Sequence, residues 1–344
     1  MKAAVLNAHG GIDTLQVIDL PEPPPPKVYE VRVRIKAAAL NRLDLWVREG
    51  WPSLKLAMPH IVAADGAGIV EAVGEGVTHV ATGDRVGINP TIINEGCLSL
   101  TGSEEYCLDG HILGEMVPGV AAEYVNLPAR NLIKLPDHVS FAESAAAGLV
   151  YVTAWHSLIN CGKLRPGESV LIVGAGGGVN TASLQIAKMC GCTVYVVGSS
   201  AEKCEQARQL GADVTLNRAD DPAWSKAIYK LTNKQGVDVV VDNVGQATIT
   251  DSMRSVRRGG RILIVGNTSG PMANIDLRLI FGKQISLIGS TMGPTSAFKA
   301  VMSQVFAGRL KPVIGAELPL SEIRRGHELL EAGNLFGKVV LTLE

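Results

Sequence analysis

The sequence predicts an α/β protein with two domains, one rich in β-strands and one built on a parallel sheet with helices on both faces. A length of 344 residues is too long for one ordinary domain and fits two. The first ~130 residues show strand patterns, whereas short apolar runs alternate with helical patterns from about residue 165 onward. Such alternation is typical of a parallel sheet that is buried on both faces.

The β-rich part is predicted from strands with alternating character. Residues 31–37 place Val and Ile on one face and Arg and Lys on the other, and residues 68–77 and 84–88 continue the strand pattern between glycines. The proline run at 21–26 cannot enter a sheet interior, so we expect an extended connector there.

The second part is predicted as a series of short buried strands and helices. The expected strands are 169–173, 193–197, 214–216, 237–241, 261–265 and 284–288, with a final strand at 338–343. The expected helices are 181–190, 202–210, 221–234, 296–307 and 321–332. We place the first domain at 1–150 together with 291–344, and the second domain at 151–290.

Composition excludes several classes of function. With 32 basic and 33 acidic residues the net charge is −1, which gives no electrostatic case for a nucleic acid or an anionic membrane as partner. Aromatic residues make up only 4%, too few to suggest a base-stacking surface. The N-terminus lacks a signal-peptide pattern, and six cysteines are too few for a disulfide scaffold. We therefore expect a cytoplasmic protein that no membrane anchors.

A glycine-rich turn joins the strand at 169–173 to the next helix. The turn and the start of the helix comprise Gly174, Gly176, Gly177, Gly178, Val179 and Asn180. Glycines allow close approach to a pyrophosphate, and the helix N-terminus supplies free N–H groups and partial positive charge. This context predicts a Rossmann dinucleotide site, although Asn180 stands where the third glycine is usual. The alternative is a tight turn that binds no ligand.

The end of the second strand bears on which nucleotide binds. An NAD-binding protein usually carries an acidic residue there for the ribose 2′-hydroxyl. This chain instead has Ser199 and Ser200, followed by Lys203 and, after the next strand, Arg218. Hydroxyls and cations suit a 2′-phosphate, so NADPH is favoured over NADH. The alternative is that both cations are ordinary solvated charges.

The chain as a whole resembles the medium-chain dehydrogenase/reductase superfamily, which pairs a GroES-like catalytic domain with a Rossmann domain. The motifs that carry the resemblance are NRLD at 41–44, PHIVAADGAGIVEAVGEG at 59–76, GDRV at 83–86, AEYV at 122–125, TAW at 153–155, the glycine turn, VGN at 265–267 and FGKVV at 336–340. The nearest branches are the zinc-type alcohol dehydrogenase-like proteins and the quinone oxidoreductases.

The resemblance also shows which metal ligands are missing. Where the zinc enzymes carry Cys, His and Cys, this chain has Asn41, Ala64 and Leu149, which do not provide the N and S donors of a zinc site. We therefore expect no catalytic zinc.

The lobe that holds a structural zinc in the family is also altered. Its four cysteine positions correspond to Asn94, Cys97, Leu100 and Cys107. A replacement site made of Cys97, Cys107, Asp109 and His111 has no recognised spacing. We expect two remaining thiols in a surface loop and no structural zinc.

Without zinc the resemblance implies reduction of a small-molecule carbonyl substrate, a quinone or an α,β-unsaturated carbonyl, by direct hydride transfer from NADPH. Alcohol oxidation is helped by a metal that acidifies the alcohol, whereas hydride addition to a conjugated carbonyl needs only hydrogen-bond donors for the developing enolate. Two alternatives stay open. One is an alcohol dehydrogenase with non-standard metal ligation, and the other is a catalytically silent NADPH-binding scaffold.

Four residues are candidates for catalysis. Asn41 has an amide that can donate to substrate or nicotinamide, and Asp44 either holds its loop or bonds the ribose. Asp65 lies in the former ligand region, with a buried structural acid as the alternative. Tyr151 is a candidate proton donor, and a packing role is the alternative.

The remaining candidates concern cofactor, substrate and partner. Besides Asn41 and the glycine turn, cofactor contacts are expected from Thr153, Asn243, Val244, Val265, Gly266 and Asn267. Trp46 and Trp51 are candidate pocket walls, or simply core residues. The apolar strand at 284–288 would be a sheet edge, and the family covers this edge by pairing two subunits, so we expect a homodimer or homotetramer.

Overall fold

The computed structural model describes residues 1–93, 95–104, 107 and 111–344. The chain divides into two compact units, which we call the first unit (Met1–Val150 with Pro294–Glu344) and the second unit (Tyr151–Gly293). None of the helices in the described residues has the length and apolar character needed to cross a membrane.

Strands and helices follow one another along the whole chain. The strands are β1 (Lys2–Leu6), β2 (Leu15–Asp19), β3 (Glu30–Leu40), β4 (His60–Ile61), β5 (Asp65–Val73), β6 (Arg85–Ile88), β7 (Thr91–Ile92), β8 (His111–Ile112), β9 (Tyr124–Pro128), β10 (Leu132–Lys134), β11 (Ser169–Val173), β12 (Thr193–Gly198), β13 (Val214–Asn217), β14 (Val237–Asp242), β15 (Val256–Ile264), β16 (Ser286–Gly289), β17 (Ile314–Pro319) and β18 (Lys338–Thr342). The helices are α1 (Arg42–Glu49), α2 (Glu95–Thr101), α3 (Phe141–Trp155), α4 (Gly178–Met189), α5 (Ala201–Gln209), α6 (Trp224–Leu231), α7 (Ile249–Ser255), α8 (Leu277–Lys283), α9 (Thr295–Phe306) and α10 (Ile323–Ala332). A π-helical segment, His156–Cys161, follows α3.

The second unit contains a parallel six-stranded sheet in the order β13-β12-β11-β14-β15-β16. Counted along the chain from β11, this is the 3-2-1-4-5-6 order of the Rossmann fold. In the central strand β11, Val170, Leu171, Ile172 and Val173 are completely buried, which explains the unbroken apolar run. The predicted Rossmann sheet is therefore confirmed.

The first unit is built mainly on β-strands. Within the described residues, one sheet has the order β10-β6-β5-β3-β18-β17, with β9 paired to β3, and a second sheet has the order β2-β1-β4. Val31, Val33 and Ile35 of β3 are buried while the residues between them are half-buried, as the period of two predicts. This is the GroES-like, β-rich half of the predicted α/β fold.

The sequence pattern predicted the wrong first residue for one helix and one strand. The helix predicted at 221–234 begins only at Trp224. Asp221 does not cap it, because its Oδ1 accepts a hydrogen bond at 3.0 Å from the N–H of Ala223 and forms a turn. Strand β15 begins at Val256, five positions before the predicted start of 261, with a register irregularity opposite β14.

Candidate functional site

Asp44 fastens the segment in which the first candidate residues lie. Asn41 precedes α1 in an extended conformation, and its N–H donates to Oδ2 of Asp44 at 2.7 Å. Oδ1 of Asp44 accepts from the N–H of Ala63 at 3.0 Å. Burial raises the pKa of Asp44 to about 6, although the two backbone donors work against the shift. Asp44 therefore joins α1 to the chain next to position 64, which favours the loop-holding role.

Asp65 is the centre of a buried polar cluster that also contains Asn41 and Lys338. Its Oδ2 accepts from Nδ2 of Asn41 at 2.9 Å and from Nζ of Lys338 at 3.0 Å. Lys338 also donates to Oδ1 of Asn41. The N–H of Leu149 donates to Oδ1 of Asp65 at 2.6 Å, and a Cβ at Gly148 would overlap the same oxygen. The cluster thus brings together positions 41 and 149, both of which hold zinc ligands in the zinc enzymes.

Lys338 was missed by the sequence analysis. It is the first residue of β18 and is 3% exposed, although its ammonium is charged. It belongs to the FGKVV motif at 336–340. The useful signal was the lysine at the start of a strand whose next three residues are completely buried.

The donor chemistry of this region does not fit a zinc ion. Asn41, Ala64 and Leu149 supply one amide and two aliphatic side chains, whereas zinc sites use Cys, His or carboxylate donors. Ala64 is also only 1% exposed, and its methyl group carries no donor atom. In the part of the chain that the structure describes, no group of three His, Cys, Asp or Glu side chains is placed to hold a metal ion.

The lobe that holds a structural zinc in the family contains a disulfide here. Cys97 and Cys107 are bonded to each other, with their Cα atoms 5.5 Å apart. The expectation of two remaining thiols was therefore wrong, because Cys97 of α2 and Cys107 lie close enough to bond. Of the other positions named for this lobe, Leu100 is exposed and His111 begins β8, whereas Asn94 and Asp109 lie outside the described residues.

The glycine turn of the second unit is organised by Asn180. Its Nδ2 donates to the carbonyl of Val173 at 3.0 Å. A Cβ at Gly174 would lie 3.0 Å from Nδ2 of Asn180, and a Cβ at Gly177 would lie 2.7 Å from its Oδ1. Gly174 also has a φ of +105°, which favours glycine. Gly174 and Gly177 thus make room for the Asn180 amide, and the glycine-rich backbone leads directly into the N-terminus of α4, an arrangement that fits a dinucleotide pyrophosphate.

Asn180 and Asn243 also connect the first and fourth strands of the sheet. Nδ2 of Asn180 donates to Oδ1 of Asn243 at 3.3 Å, and Nδ2 of Asn243 donates to Oδ1 of Asn180 at 3.1 Å. Val265 and Gly266 follow β15, where a Cβ at Gly266 would lie 3.1 Å from the carbonyl of Asn243. Asn267, one residue further on, is exposed. The structure therefore groups these candidates at the carboxyl ends of neighbouring strands.

Asp242 holds the loop that contains Asn243 and Val244, and the sequence analysis missed it. It is 1% exposed at the end of β14. Its oxygens accept hydrogen bonds from the N–H of Val244 at 2.9 Å, from the hydroxyl of Thr248 at 2.9 Å and from the hydroxyl of Ser252 at 2.7 Å. An acid at the end of an apolar strand was the available signal.

The four residues proposed to select the nucleotide surround the end of β12. Ser200 caps α5 by accepting from the N–H of Lys203 at 3.3 Å, and Ser199 is exposed. The N–H of Arg218 donates to the carbonyl of Gly198 at 3.0 Å. Partial burial lowers the pKa of Lys203, the charge of Glu202 opposes this shift, and the charge of Arg218 adds to it by a smaller amount. Two cations that repel each other therefore lie beside two serines.

The remaining candidates are mostly packed side chains. Tyr151 belongs to the second unit and is completely buried, with its hydroxyl accepting from Nε2 of Gln185 at 2.8 Å, which favours the packing alternative. Thr153 is buried, and its hydroxyl lies 3.6 Å from the sulfur of Met292. Trp46 and Trp51 are half-buried, and Trp51 packs against the core of the first unit.

Comparisons with known proteins agree with this architecture. Residues 27–137 match the alcohol dehydrogenase GroES-like domain, and residues 178–307 match the zinc-binding dehydrogenase domain. A zinc-type alcohol dehydrogenase-like protein of Schizosaccharomyces pombe is 32% identical, over 100% of this chain and 99% of its own length. A quinone oxidoreductase of Lama guanicoe is 30% identical, over 100% of this chain and 98% of its own length.

Among solved structures, an NAD-dependent alcohol dehydrogenase is 44% identical with a TM-score of 0.96, and each chain covers 100% of the other. Matches of this length and identity extend over both units of the fold. The chain belongs to the medium-chain dehydrogenase/reductase superfamily, in the branches of the zinc-type alcohol dehydrogenase-like proteins and quinone oxidoreductases, and is an NAD(P)-dependent oxidoreductase.

Proposed function

We propose that this chain is an NADPH-dependent, zinc-independent reductase of quinones or α,β-unsaturated carbonyls. The observation that carries the proposal is the Asn41, Ala64, Leu149 set, which cannot ligate zinc but keeps an amide donor. Oxidising an alcohol requires an alkoxide, which a metal normally stabilises. A conjugated carbonyl is already electrophilic at its β-carbon, and its enolate oxygen needs only a hydrogen bond.

The nicotinamide, when bound, supplies the hydride. The residues of this chain bind the nucleotide and orient the substrate. The backbone N–H groups at the start of α4, directly after the glycine turn, receive the pyrophosphate. Asn41 donates to the carbonyl oxygen of the substrate and stabilises the charge that develops on it.

NADPH is proposed over NADH because of the charges beside β12. Its final residue, Gly198, is followed by two serines where an NAD site usually has a carboxylate. Lys203 and Arg218 repel each other, and a 2′-phosphate between them would remove that repulsion. The NAD dependence named for the similar solved structure is a property of that protein.

The test is a steady-state assay of the purified protein with NADPH or NADH, a panel of quinones and enones, and a panel of alcohols and aldehydes. We expect NADPH oxidation with the conjugated carbonyls and no change after treatment with EDTA. Alcohol turnover that EDTA abolishes would favour the alternative suggested by the 34% identical alcohol dehydrogenase of Geobacillus stearothermophilus. Tight NADPH binding without turnover of either panel would favour a scaffold.

We also propose that two copies of the chain pair along β16. This strand ends the order of its sheet, so one of its edges has no neighbouring strand in the second unit. In the same unit, Leu277 and Phe281 of α8 are 67% and 72% exposed, and Met272 is 77% exposed. Light scattering should give a dimer or tetramer mass, and Phe281→Glu should lower it, whereas a monomeric wild type would contradict this proposal.

A further inference from the structure

The Asn41 amide lies between two buried groups of opposite charge. The ammonium of Lys338 faces its Oδ1, and the carboxylate of Asp65 accepts from its Nδ2 at 2.9 Å. Lys338 and Asp65 also contact each other at 3.0 Å, and their side chains are only 4% and 0% exposed. Both charges are thus removed from water and use Asn41 as a shared partner.

This arrangement selects one of the two orientations of the amide. An asparagine can exchange its Oδ1 and Nδ2 by a half-turn of the side chain, which changes a donor into an acceptor. An ammonium is only a donor, and an ionised carboxylate is only an acceptor. The reversed amide would therefore place donor against donor at Lys338 and acceptor against acceptor at Asp65, and buried unmatched charges are costly.

Asp65 cannot move away to relieve a mismatch. Its second oxygen is held by the N–H of Leu149 at 2.6 Å, and Gly148 packs directly against it. The carboxylate is therefore a fixed reference for the amide. A buried ion pair by itself contributes little net stability.

We propose that Lys338 is a positioning residue, which holds the Asn41 amide so that an N–H, and not the C=O, is available to the substrate oxygen. Nδ2 of Asn41 carries two hydrogens, and Asp65 takes only one of them. The second is the donor for the charge that develops during reduction. This inference rests on the proposed function, since reduction of a conjugated carbonyl creates an oxygen that accepts hydrogen bonds.

The activity test compares two variants in the full-length protein. Lys338→Met leaves the Asp65 charge unpaired, so we expect a lower Tm. It also removes the donor that faces Oδ1 of Asn41, so the amide is no longer held from that side, and we expect a kcat reduced about tenfold or more with the Kd of NADPH unchanged. In Lys338→Met/Asp65→Asn no charge is left unpaired, so the Tm should recover. With the N–H of Leu149 still bound to its oxygen, the amide introduced at position 65 would turn its NH₂ group toward Asn41 and reverse the Asn41 amide, so kcat should stay low.

A matched control is Lys134→Met, because Lys134 pairs with Asp84 at 2.7 Å on the surface and should change neither Tm nor kcat. Recovery of kcat together with Tm in the double variant would overturn the proposal and leave Lys338 a purely structural role. A rise in the Kd of NADPH on Lys338→Met, with kcat at saturation unchanged, would also overturn it.

Neutron diffraction from deuterated wild-type crystals gives a readout that does not depend on activity. We expect the ND₂ group of Asn41 to face Asp65 and its oxygen to face Lys338. The opposite assignment would refute the positioning role even if the enzyme reduces quinones. The expected assignment in a protein that reduces neither quinones nor enones would instead show that the proposed function fails while the amide orientation stands.

Discussion

Asn180 and Asn243 exchange side-chain hydrogen bonds across the nucleotide end of the sheet, at 3.3 and 3.1 Å. Together with the bond to Val173, this makes Asn180 a connection between β11, α4 and the loop after β14. The usual glycine at this position of the fingerprint would make none of these contacts. The hydrogen bonds of Asn180 therefore compensate for the absence of the third glycine and hold the glycine turn in place.

Asn180→Gly should destabilise the protein, although it restores the usual fingerprint. We expect the free energy of unfolding to fall by about 2–3 kcal/mol, from lost hydrogen bonds and a glycine inside a helix. Urea denaturation measures the change. Asn267→Gly, at an exposed position, is the control and should stay within about 0.5 kcal/mol of wild type. An Asn180→Gly protein as stable as wild type would show that the amide pair is not needed.

Lys203→Ala and Arg218→Ala should each weaken NADPH binding and leave NADH binding unchanged. A charge-assisted hydrogen bond to the 2′-phosphate is worth ~1.5–3 kcal/mol, so the Kd of NADPH should rise about tenfold or more in each variant. Fluorescence titration with both nucleotides provides the values, and Lys226→Ala, an exposed lysine of α6, is the control. Equal losses for NADH and NADPH would contradict a role in selectivity.

The disulfide predicts how many thiols react. Cys161, Cys190, Cys192 and Cys204 are free, so an unfolded, unreduced sample should show four thiols, and a reduced sample should show all six. A colorimetric thiol assay in guanidinium measures both states. In Cys97→Ser the thiol of Cys107 has no disulfide partner, so the unreduced sample should show five thiols instead of four. Six thiols without reduction would contradict the bond.

The sheet of the second unit could be predicted because its signals are local. Each buried strand is a short apolar run, and each glycine turn follows directly in sequence. The cluster around Asp65 could not be predicted in this way, because Lys338 lies 273 residues from Asp65 and 297 from Asn41. A single lysine at the start of a strand looks solvated until the fold shows its partners.

Asp242 and the Cys97–Cys107 bond were also not predicted, although the partners in each case are close in sequence. The reason is therefore a different one. Asp242 directly precedes Asn243, and its side-chain donor Thr248 is only six residues away. The fold's sequence pattern points to the residues that face the nucleotide and not to the acid that holds their loop. Cys97 and Cys107 are ten residues apart, but the low overall cysteine content argued against a bond.

Asp44 should make stability decrease as pH rises from about 4 to 6. Burial raises its pKa from 3.8 to about 6, so the folded protein holds this proton more tightly than the unfolded chain does. The stabilisation is complete below pH 4 and is lost as pH rises through 6. Asp44→Asn cannot titrate, so the difference in unfolding free energy between variant and wild type should change by roughly 3 kcal/mol across this range. Urea denaturation from pH 4 to 7.5 tests this, and a difference independent of pH would refute it.

His327 should make stability decrease as pH falls, which is the opposite of the effect of Asp44. It is completely buried in α10, and within the described residues neither ring nitrogen has a hydrogen-bond partner. Burial, and then the charge of Arg48, lower its pKa to about 4, while Glu331 opposes the shift. The unfolded chain takes up the proton near the ordinary pKa of 6.5, but the folded protein does not. Stability from this group is therefore complete above pH 6.5 and is lost as pH falls toward 4.

His327→Leu removes both this titration and the unpaired nitrogens. We expect it to stabilise the protein, by about 2 kcal/mol more at pH 5 than at pH 7.5, measured by urea denaturation. His138→Leu, at an exposed histidine, is the control for the replacement of a histidine by leucine. Because Asp44 and His327 titrate over overlapping ranges with opposite signs, the wild-type profile should be flatter than that of either variant. A gain on His327→Leu that is equal at both pH values would mean that the folded protein accepts the proton as readily as the unfolded chain.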